Sequence, residues 1–431
     1  GLLALGQINL DWGELEQERY EMARESYARL IEKYGRKDEF LEGMLKYFIR
    51  TDNLGEVLPL QAHFMYSERR KISTPALAEL GGYLLDKKLE EVRGVPDEHL
   101  GAIEGLRDLL TRAVQQDPSY PESYYHLSRY YQRFGSIGEE RRALENALRT
   151  FEQAPELSAK RTGYRLDTHR RYAQVLIRGR EFISAEEQLM EGIGLYEDAV
   201  RRRILSRSAD YGVLYADMGD IEYFVNGDME TALDYYDEAK KNAYASPEMN
   251  YRMGSAQYAL QNWREAVDLF FEASTELPLN RRLLFSLGNA SYMRGNLFTA
   301  QGYYNRLLDM LEAERARFPM LLPNERPEHM ELAERIMRAR NNLGVALEAL
   351  ADRTGDTALR SRALALYSES ARAWDSLTRD PDSMVRSASA NLAYLNTRNS
   401  LYPEAGYEQQ LYMEIDKDVL EPSEWEQLLT R

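Results

Sequence analysis

The chain has 431 residues, with 71 acidic against 55 basic side chains and a net charge of −16. Such an excess of negative charge opposes nonspecific binding to nucleic acid, which depends on neutralising phosphates. The absence of cysteine excludes disulfides and thiolate chemistry, and no stretch approaches the ~20 apolar residues that a membrane helix needs.

The first 120 residues are predicted to form irregular helical hairpins. Gly1–Gly6 is typical of the middle of a first helix, and Ala23-x3-Tyr27-x2-Leu30 supplies the second. The stretch 38–71 shows helical periodicity only. Because the chain begins within such a helix pattern and lacks an initiator Met, we expect a fragment of a longer protein.

A clearer hairpin follows, and after it a locally basic stretch. Tyr124-x2-Leu127-Ser128-x2-Tyr131 opens the hairpin. Between Lys160 and Arg207 there are 11 basic and 7 acidic residues. We predict a basic patch that docks an acidic partner or a lipid surface; the alternative is a set of solvated helix faces. The residues of the predicted basic patch are Arg170, Arg171, Arg201, Arg202 and Arg203.

The central region repeats with a fixed period. Ala232, Ala266 and Ala300 are evenly spaced with a period of 34, and the position four after each of them is aromatic. Glycine before each hairpin turn, at Gly254 and Gly288, lets two helices approach closely beside that large ring. Three polar residues with the same spacing are predicted to cap the second helices. They are Asp228, Asn262 and Asn296.

This pattern resembles the tetratricopeptide repeat family, whose motif W-x2-L-G-x2-Y…A-x3-F…P recurs with the same period. The match is strongest in three copies, 213–246, 247–280 and 281–314. The resemblance implies an all-α, right-handed α-solenoid of about eight or nine antiparallel hairpins, some irregular. It also implies that the partners are other proteins, either assembly partners or extended peptides.

Beyond residue 314 the period is interrupted. The step from Gly288 to Gly344 is 56 rather than 34, and the step from Gly344 to Ala363 is 19 rather than 12. We assign the seven extra residues to a hairpin turn near 352–356. An apolar loop that prolines keep out of a helix either docks in a partner's groove or folds back on its own helices. Its candidate docking residues are Phe318, Met320, Leu321 and Leu322.

The C-terminal part is predicted to close the stack. A small-residue helix at 383–398 and a last short helix after Pro422 would cover the final apolar face. The predicted organisation is therefore 1–120 for the irregular hairpins, 121–314 for the central array, and 315–431 for the insertion loop, a divergent repeat and capping helices.

In the resembled family the concave wall is lined by the first helices of successive hairpins. Asparagine there can hydrogen-bond a peptide backbone as donor and acceptor. The lysine of the family's carboxylate clamp is replaced by Phe285, which argues against that specific activity. Whether the groove is open or filled by its own side chains stays an open alternative. Motif position carries the binding role to Arg252, Ser255, Tyr258, Arg282, Phe285, Asn289, Tyr292, Arg338, Asn341 and Asn342.

No catalytic signature is present. The chain contains no phosphate-binding glycine loop, no H-E-x-x-H and no G-x-S-x-G, and the five histidines have no second ligand at zinc-site spacing. We therefore expect no catalytic residue, no metal and no cofactor in this region, and no nucleic-acid partner. Any membrane contact is expected only through parts outside it.

Three functional hypotheses follow. The favoured one is a non-enzymatic scaffold in a multi-protein assembly of the bacterial envelope, and the chain looks similar to the repeat region of a spirochaete periplasmic flagellar collar component. The second is a peptide-binding adaptor or co-chaperone. The third is the regulatory repeat region of an enzyme whose catalytic domain lies elsewhere. A periplasmic or cell-envelope location is favoured over the cytoplasm.

Overall fold

The computed structural model describes residues 1–13, 16–65, 70–94, 103–154, 158–321 and 326–375. Within these ranges the regular elements are helices, and none is a strand. The chain divides into two compact units, Gly1–Ser206 (unit 1) and Arg207–Arg431 (unit 2), which are described separately. The predicted capping helices after residue 376 lie outside the described residues.

The described residues of unit 1 form five antiparallel hairpins, each made of an odd-numbered helix and the even-numbered helix after it. Every hairpin buries its apolar face against the next hairpin, as the repeat pattern predicts. The helices are α1 (Leu2–Trp12), α2 (Glu18–Tyr34), α3 (Asp38–Arg50), α4 (Leu54–Met65), α5 (Thr74–Val92), α6 (Leu106–Gln116), α7 (Pro121–Phe134), α8 (Ile137–Gln153), α9 (Ala159–Arg178) and α10 (Phe182–Arg201).

Unit 2 contributes four more hairpins among the described residues. A π-helical turn at Glu222–Asn226 extends the first of its helices. The helices are α11 (Ala209–Ile221), α12 (Met229–Lys241), α13 (Pro247–Ala259), α14 (Trp263–Glu276), α15 (Arg281–Met293), α16 (Leu297–Arg315), α17 (Pro327–Thr354) and α18 (Thr357–Asp375). The expected α-solenoid of helical hairpins is confirmed.

The odd-numbered helices form the inner layer of each unit. In unit 1, α5 packs against α3 and α7 in addition to its own partner α6, and α7 also reaches α9. In unit 2, α15 similarly packs against α13 and α17. Because consecutive first helices lie beside one another, their exposed sides make up one inner face per unit, where the family would bind its partners.

Small residues face large rings at the hairpin crossings. A Cβ added at Gly288 would lie less than 3.0 Å from the ring of Tyr304, so only glycine allows this approach. Both sides of this contact are buried, since Tyr304 has no exposed surface and Gly288 is also buried. The same pairing recurs at Gly219 with Tyr236, Gly254 with Phe270, and Gly344 with Tyr367.

The predicted caps are confirmed at one position of three. The side chain of Asp228 accepts a hydrogen bond from the Thr231 N–H at 3.0 Å. Asn262 and Asn296 precede helices but make no side-chain cap bond. At Asn262 the observed side-chain bond is a different one, in which Nδ2 donates to Gln257 Oε1 at 2.7 Å. The cap prediction was wrong at these two asparagines.

The irregular end of unit 2 differs from its prediction. α17 continues to Thr354 and α18 begins at Thr357, so the turn between them is only Gly355–Asp356. Gly355 adopts a φ of 74°, which a tight helix exit requires. Placing the seven extra residues in this turn was wrong, because they extend the two helices. The predicted boundaries at 120 and 314 fall inside units 1 and 2 respectively.

Candidate functional site

The inner-face residues predicted for unit 2 lie mostly in contacts within the protein. The guanidinium of Arg252 on α13 donates from Nη1 to both carboxylate oxygens of Asp220 on α11, each at 2.9 Å. Asp220 also accepts a hydrogen bond from the Tyr236 hydroxyl at 2.8 Å. Burial raises the pKa of Asp220, while the guanidinium opposes that change. This predicted binding arginine therefore joins two neighbouring hairpins.

The predicted asparagines form a buried network between α15 and α17. Asn289 Oδ1 accepts hydrogen bonds from the Tyr304 hydroxyl at 2.5 Å and from Asn342 Nδ2 at 2.9 Å. Asn341 Nδ2 donates to Asn342 Oδ1 at 3.2 Å. All three asparagines have no exposed surface. In this conformation none of them can contact a peptide, and they hold neighbouring hairpins together instead.

The other predicted binding residues fall into a buried group and a half-buried group. Ser255 and Tyr258 are buried, at 2% and 5% exposed. Ser255 donates to the Tyr251 carbonyl at 3.0 Å, and Tyr258 packs edge-on against Trp263 with ring centroids 4.8 Å apart. The remaining four side chains are half-buried and keep some surface for a partner. They are Arg282, Phe285, Tyr292 and Arg338.

The predicted docking loop folds largely onto its own unit. The ring of Phe318 lies 4.5 Å from that of His329, and both Phe318 and Leu321 pack against the apolar cluster between α15, α16 and α17. Met320 remains 65% exposed. Leu322 lies outside the described residues. The fold-back alternative therefore describes Phe318 and Leu321.

The predicted basic patch does not form one exposed surface. Arg171 is 5% exposed and donates to Ser128 Oγ at 3.0 Å, with Glu140 beside it at 3.5 Å. Its inclusion in the patch was wrong, since α9 turns this side chain into the packing with α7 and α8. Arg170 is half-buried on the same helix. The other three members are exposed at the end of α10, namely Arg201, Arg202 and Arg203.

Unit 1 contains a feature that the repeat motif did not indicate. A pocket of about 530 Å³ opens on its inner face and is lined by side chains from all five odd-numbered helices. In sequence order, the lining residues run from Gln7 on α1 to Tyr164 on α9. This volume falls within the range of ordinary ligand sites, roughly 300–1,000 Å³. We call it the inner pocket.

Most charges at the inner pocket are held in ion pairs. On α3, Lys46 Nζ lies 3.0 Å from Glu42 and Arg50 Nε lies 3.2 Å from Glu79 of α5. Asp86, also on α5, accepts from Arg129 of α7 at 2.5 Å. The two pairs made by α3 are largely withdrawn from water, whereas Asp86 is exposed.

The end of the inner pocket at α7 and α9 is aromatic. His126 is 5% exposed, and its ring meets those of Tyr125 and Tyr164 edge-on at 5.1 and 5.4 Å. Gly82 on α5 provides room for this histidine, because an added Cβ would lie less than 3.0 Å from the imidazole. Burial, and then the nearby cations Arg129 and Lys160 with a third arginine, lower the pKa of His126 to about 3. The imidazole is neutral at pH 7.

Cations gather at the first turn of α9. The Arg161 Nε lies 2.7 Å from Glu122 Oε1, and its guanidinium lies 5.8 Å from the centre of the Tyr120 ring. Lys160, one residue earlier, is exposed and makes no ion pair with the described residues. The first turn of α9 contains no acidic residue, whereas helix N-termini usually favour one.

Sequence reasoning missed the inner pocket because its lining is spread over five helices without a shared motif. One signal was present: Lys160 and Arg161 directly follow a capping serine, Ser158, whose Oγ accepts from the Arg161 N–H at 3.2 Å. Two cations at the positive end of a helix dipole are unfavourable by themselves. Their placement is the sequence feature that could have drawn attention to this end of α9.

Comparisons with known proteins assign neither a family nor a function to this chain. No family model matches the chain, and no curated protein matches it. The similar solved structures include the C-terminal part of a TPR repeat-containing protein from Cytophaga hutchinsonii, with 11% identity, a TM-score of 0.44, and coverage of 72% of this chain and 98% of that one.

Two further similar solved structures each cover about half of this chain. PilF of Pseudomonas aeruginosa shares 13% identity over 55% of this chain and 93% of its own, with a TM-score of 0.42. PilW, titled a type IV pilus biogenesis factor, shares 14% identity over 53% of this chain and 93% of its own, with a TM-score of 0.37. At these values we rest the solenoid on the helix order and packing described above.

No group of three or more histidine, aspartate or glutamate side chains in the described ranges is placed to hold a metal ion. Across the same ranges, no helix combines the length and apolar character of a membrane span.

Proposed function

We propose that this protein is a non-enzymatic scaffold that holds an extended segment of a partner protein in the inner pocket of unit 1. The observation that carries the proposal is the inner pocket itself, about 530 Å³ in volume and built from five consecutive inner helices. A site assembled from so many repeats suits a ligand that runs along the stack. Stacked hairpins offer a continuous surface of this kind.

The lining supports a peptide rather than a compact apolar ligand. Tyrosines at positions 83, 120 and 164 provide flat surfaces with hydroxyl groups, and the ion pairs provide donors and acceptors between them. Side chains fixed in ion pairs lose little further freedom when a ligand arrives, so less binding energy is spent on ordering them. A peptide backbone presents both donors and acceptors at regular intervals, which matches such a wall.

The cellular assembly is a separate and finer proposal. The acidic, tyrosine-rich and cysteine-free composition supports a place in a bacterial envelope complex, with the periplasmic flagellar collar as the specific hypothesis. That hypothesis rests on the sequence alone. Purifying the protein from its source with a mild crosslinker, and identifying flagellar motor or other envelope components by mass spectrometry, tests it directly.

Binding at the inner pocket is testable without knowing the partner. Dodecapeptides, selected from a random display library against the full chain, are measured by fluorescence anisotropy. Gln7 is half-buried at the pocket wall, so Gln7→Trp adds bulk there. We expect this change to weaken selected peptides at least about 10-fold, which corresponds to about 1.4 kcal/mol.

The matched control places the same substitution on the outer layer. Gln153 is exposed at the end of α8, away from the inner pocket, and Gln153→Trp should leave affinity within about 2-fold. Peptides that bind equally to the wild type and to Gln7→Trp would contradict the proposed site.

A further inference from the structure

The inner pocket carries one positive charge that its own residues do not neutralise. Four cations at or beside the pocket lie in ion pairs: Lys46 with Glu42, Arg50 with Glu79, Arg129 with Asp86, and Arg161 with Glu122. Lys160 has no such partner among the described residues, although it lines the same pocket. Lys160 is exposed on the pocket wall, so its charge is open to a ligand that enters the pocket.

Lys160 stands where the backbone also attracts negative charge. It is the second residue of α9, a helix of 20 residues, and the first N–H groups of a helix have no partner within it. Ser158 caps only the Arg161 N–H. A helix N-terminus with an adjacent unpaired cation attracts an anion both by its dipole and by that side chain.

A buried polar group at the same end of the inner pocket points independently to a ligand. His126 is 95% buried, lines the pocket, and its Nδ1 has no hydrogen-bond partner in the described part of the chain. Such orphaned groups cost free energy and are uncommon in native interiors. Burial is the main cause that keeps His126 neutral and the nearby cations add to it, so an anion bound beside Lys160 would offset only the field of those cations.

We propose that the end of the inner pocket formed by α7 and α9 binds an anionic side chain of the partner segment, between Lys160 and the N-terminus of α9. This inference rests on the proposed function and specifies its ligand chemistry. The anion is an oxyanion, and it comes either from a carboxylate or from a phosphorylated side chain. The tyrosines along the wall then receive the residues that flank it.

The experiment uses the selected dodecapeptides as probes. Each acidic residue is replaced in turn by glutamine and, in a second series, by phosphoserine, and affinity for the full chain is measured by fluorescence anisotropy. One acidic position should lose about 10-fold on replacement by glutamine. On the Lys160→Glu protein the unmodified peptide should lose a similar factor, and its glutamine form should lose less than about 2-fold further, because the two changes remove the same interaction.

The control protein carries the same charge reversal outside the pocket. Lys33 is exposed on α2, and Lys33→Glu should change affinity less than about 2-fold. Retained binding of the phosphoserine peptide identifies a general oxyanion site, and its loss identifies a carboxylate as the source. Both results support an anion-binding subsite.

Two other results are distinguishable. Selected peptides that are displaced by Gln7→Trp but bind equally with glutamate or glutamine overturn the anion subsite and leave the proposed function standing. Peptides that are insensitive both to Gln7→Trp and to Lys160→Glu overturn the two proposals together.

Discussion

The inner faces of the two units use similar helices in different ways. In unit 2, side chains at the expected binding positions turn to one another, as Asn289 does with Tyr304 and Asn342. In unit 1, charged side chains line an inner pocket of about 530 Å³. A match to the family motif therefore does not by itself leave an inner-face side chain free for a partner.

Within unit 2, the aromatic residue that packs against the glycine of each hairpin crossing determines whether a polar residue of the first helix is engaged. Where it is tyrosine, the hydroxyl reaches a polar residue of the first helix, as Tyr236 reaches Asp220 and Tyr367 reaches Glu348. Where it is Phe270, the residue that follows the glycine is Ser255, which bonds within its own helix instead. A buried hydroxyl requires a partner, so tyrosine at this position consumes an inner-face residue.

The largest expected loss of stability comes from removing a buried charge in unit 1. Glu140 on α8 is 1% exposed and accepts from Arg178 Nη2 at 2.8 Å, with Arg171 at 3.5 Å. Glu140→Ala leaves two buried guanidinium groups without this carboxylate and should lower the free energy of unfolding by about 3–5 kcal/mol. Urea denaturation measures it. Glu145→Ala, at an exposed pair on the same helix, should cost less than about 1 kcal/mol.

Truncation to alanine in the uncharged asparagine network of unit 2 should cost somewhat less stability. Asn289→Ala removes the acceptor of both Tyr304 and Asn342 and should lower the free energy of unfolding by about 2–3 kcal/mol. Asn296→Ala, at an exposed asparagine without a cap bond, should cost less than about 0.5 kcal/mol. The peptides selected for the inner pocket should bind Asn289→Ala normally. A stable variant that loses peptide binding would instead place the site in unit 2.

Acidification should lower the stability of unit 1 by an amount between the effects above and below. Burial is the main cause that lowers the pKa of His126 to about 3 and of His169 to about 4, so both stay neutral in folded unit 1. In the unfolded chain they protonate near pH 6.5. Stability is therefore fully present above about pH 6.5 and falls as the pH drops, by about 2 kcal/mol per histidine at pH 5.

Hydrogen exchange followed by mass spectrometry measures this effect locally. Protection in α7 and α9 should decrease between pH 7 and pH 5, after correction for the intrinsic exchange rate, and the decrease should be smaller in His126→Phe. Equal protection of unit 1 at both pH values would contradict the neutral, buried state of these histidines.

The smallest expected effect concerns glycine at helix crossings. Gly288→Ala should lower the free energy of unfolding by about 1 kcal/mol, because its clash with Tyr304 outweighs the better helix propensity of alanine. Gly302 lies on α16 with nothing within 4 Å of an added Cβ, so Gly302→Ala should raise stability by up to about 1 kcal/mol. Thermal unfolding of the pair compares them, and a shift in the same direction would count against the packing argument.

The fold was predictable because its cause is periodic. The spacing of Ala232, Ala266 and Ala300 specifies where one helix crosses another, and the structure buries all three completely. The longer helices around Gly355 were not predictable from the period, because extra residues between two motif positions fit either a turn or two helix ends. In the structure α17 continues as one helix up to Thr354, so the extra residues lie in helix ends rather than in the turn.

The site was less predictable because it depends on partners far apart in sequence. Arg50 and Glu79 are 29 residues apart, and Lys160 becomes notable only when the neighbouring charges are known to be paired. Asn289 was predicted to bind a peptide from its motif position alone. The tyrosine at 304, in place of phenylalanine, was the sequence feature that indicated a buried acceptor there.

The most direct test of the account locates a bound peptide on the full chain. Hydrogen exchange is compared with and without a saturating peptide selected as above. We predict new protection in α3, α5, α7 and α9, with no change in α13 and α15. Protection confined to α13 and α15 would contradict the claim that the inner pocket of unit 1 is the binding site.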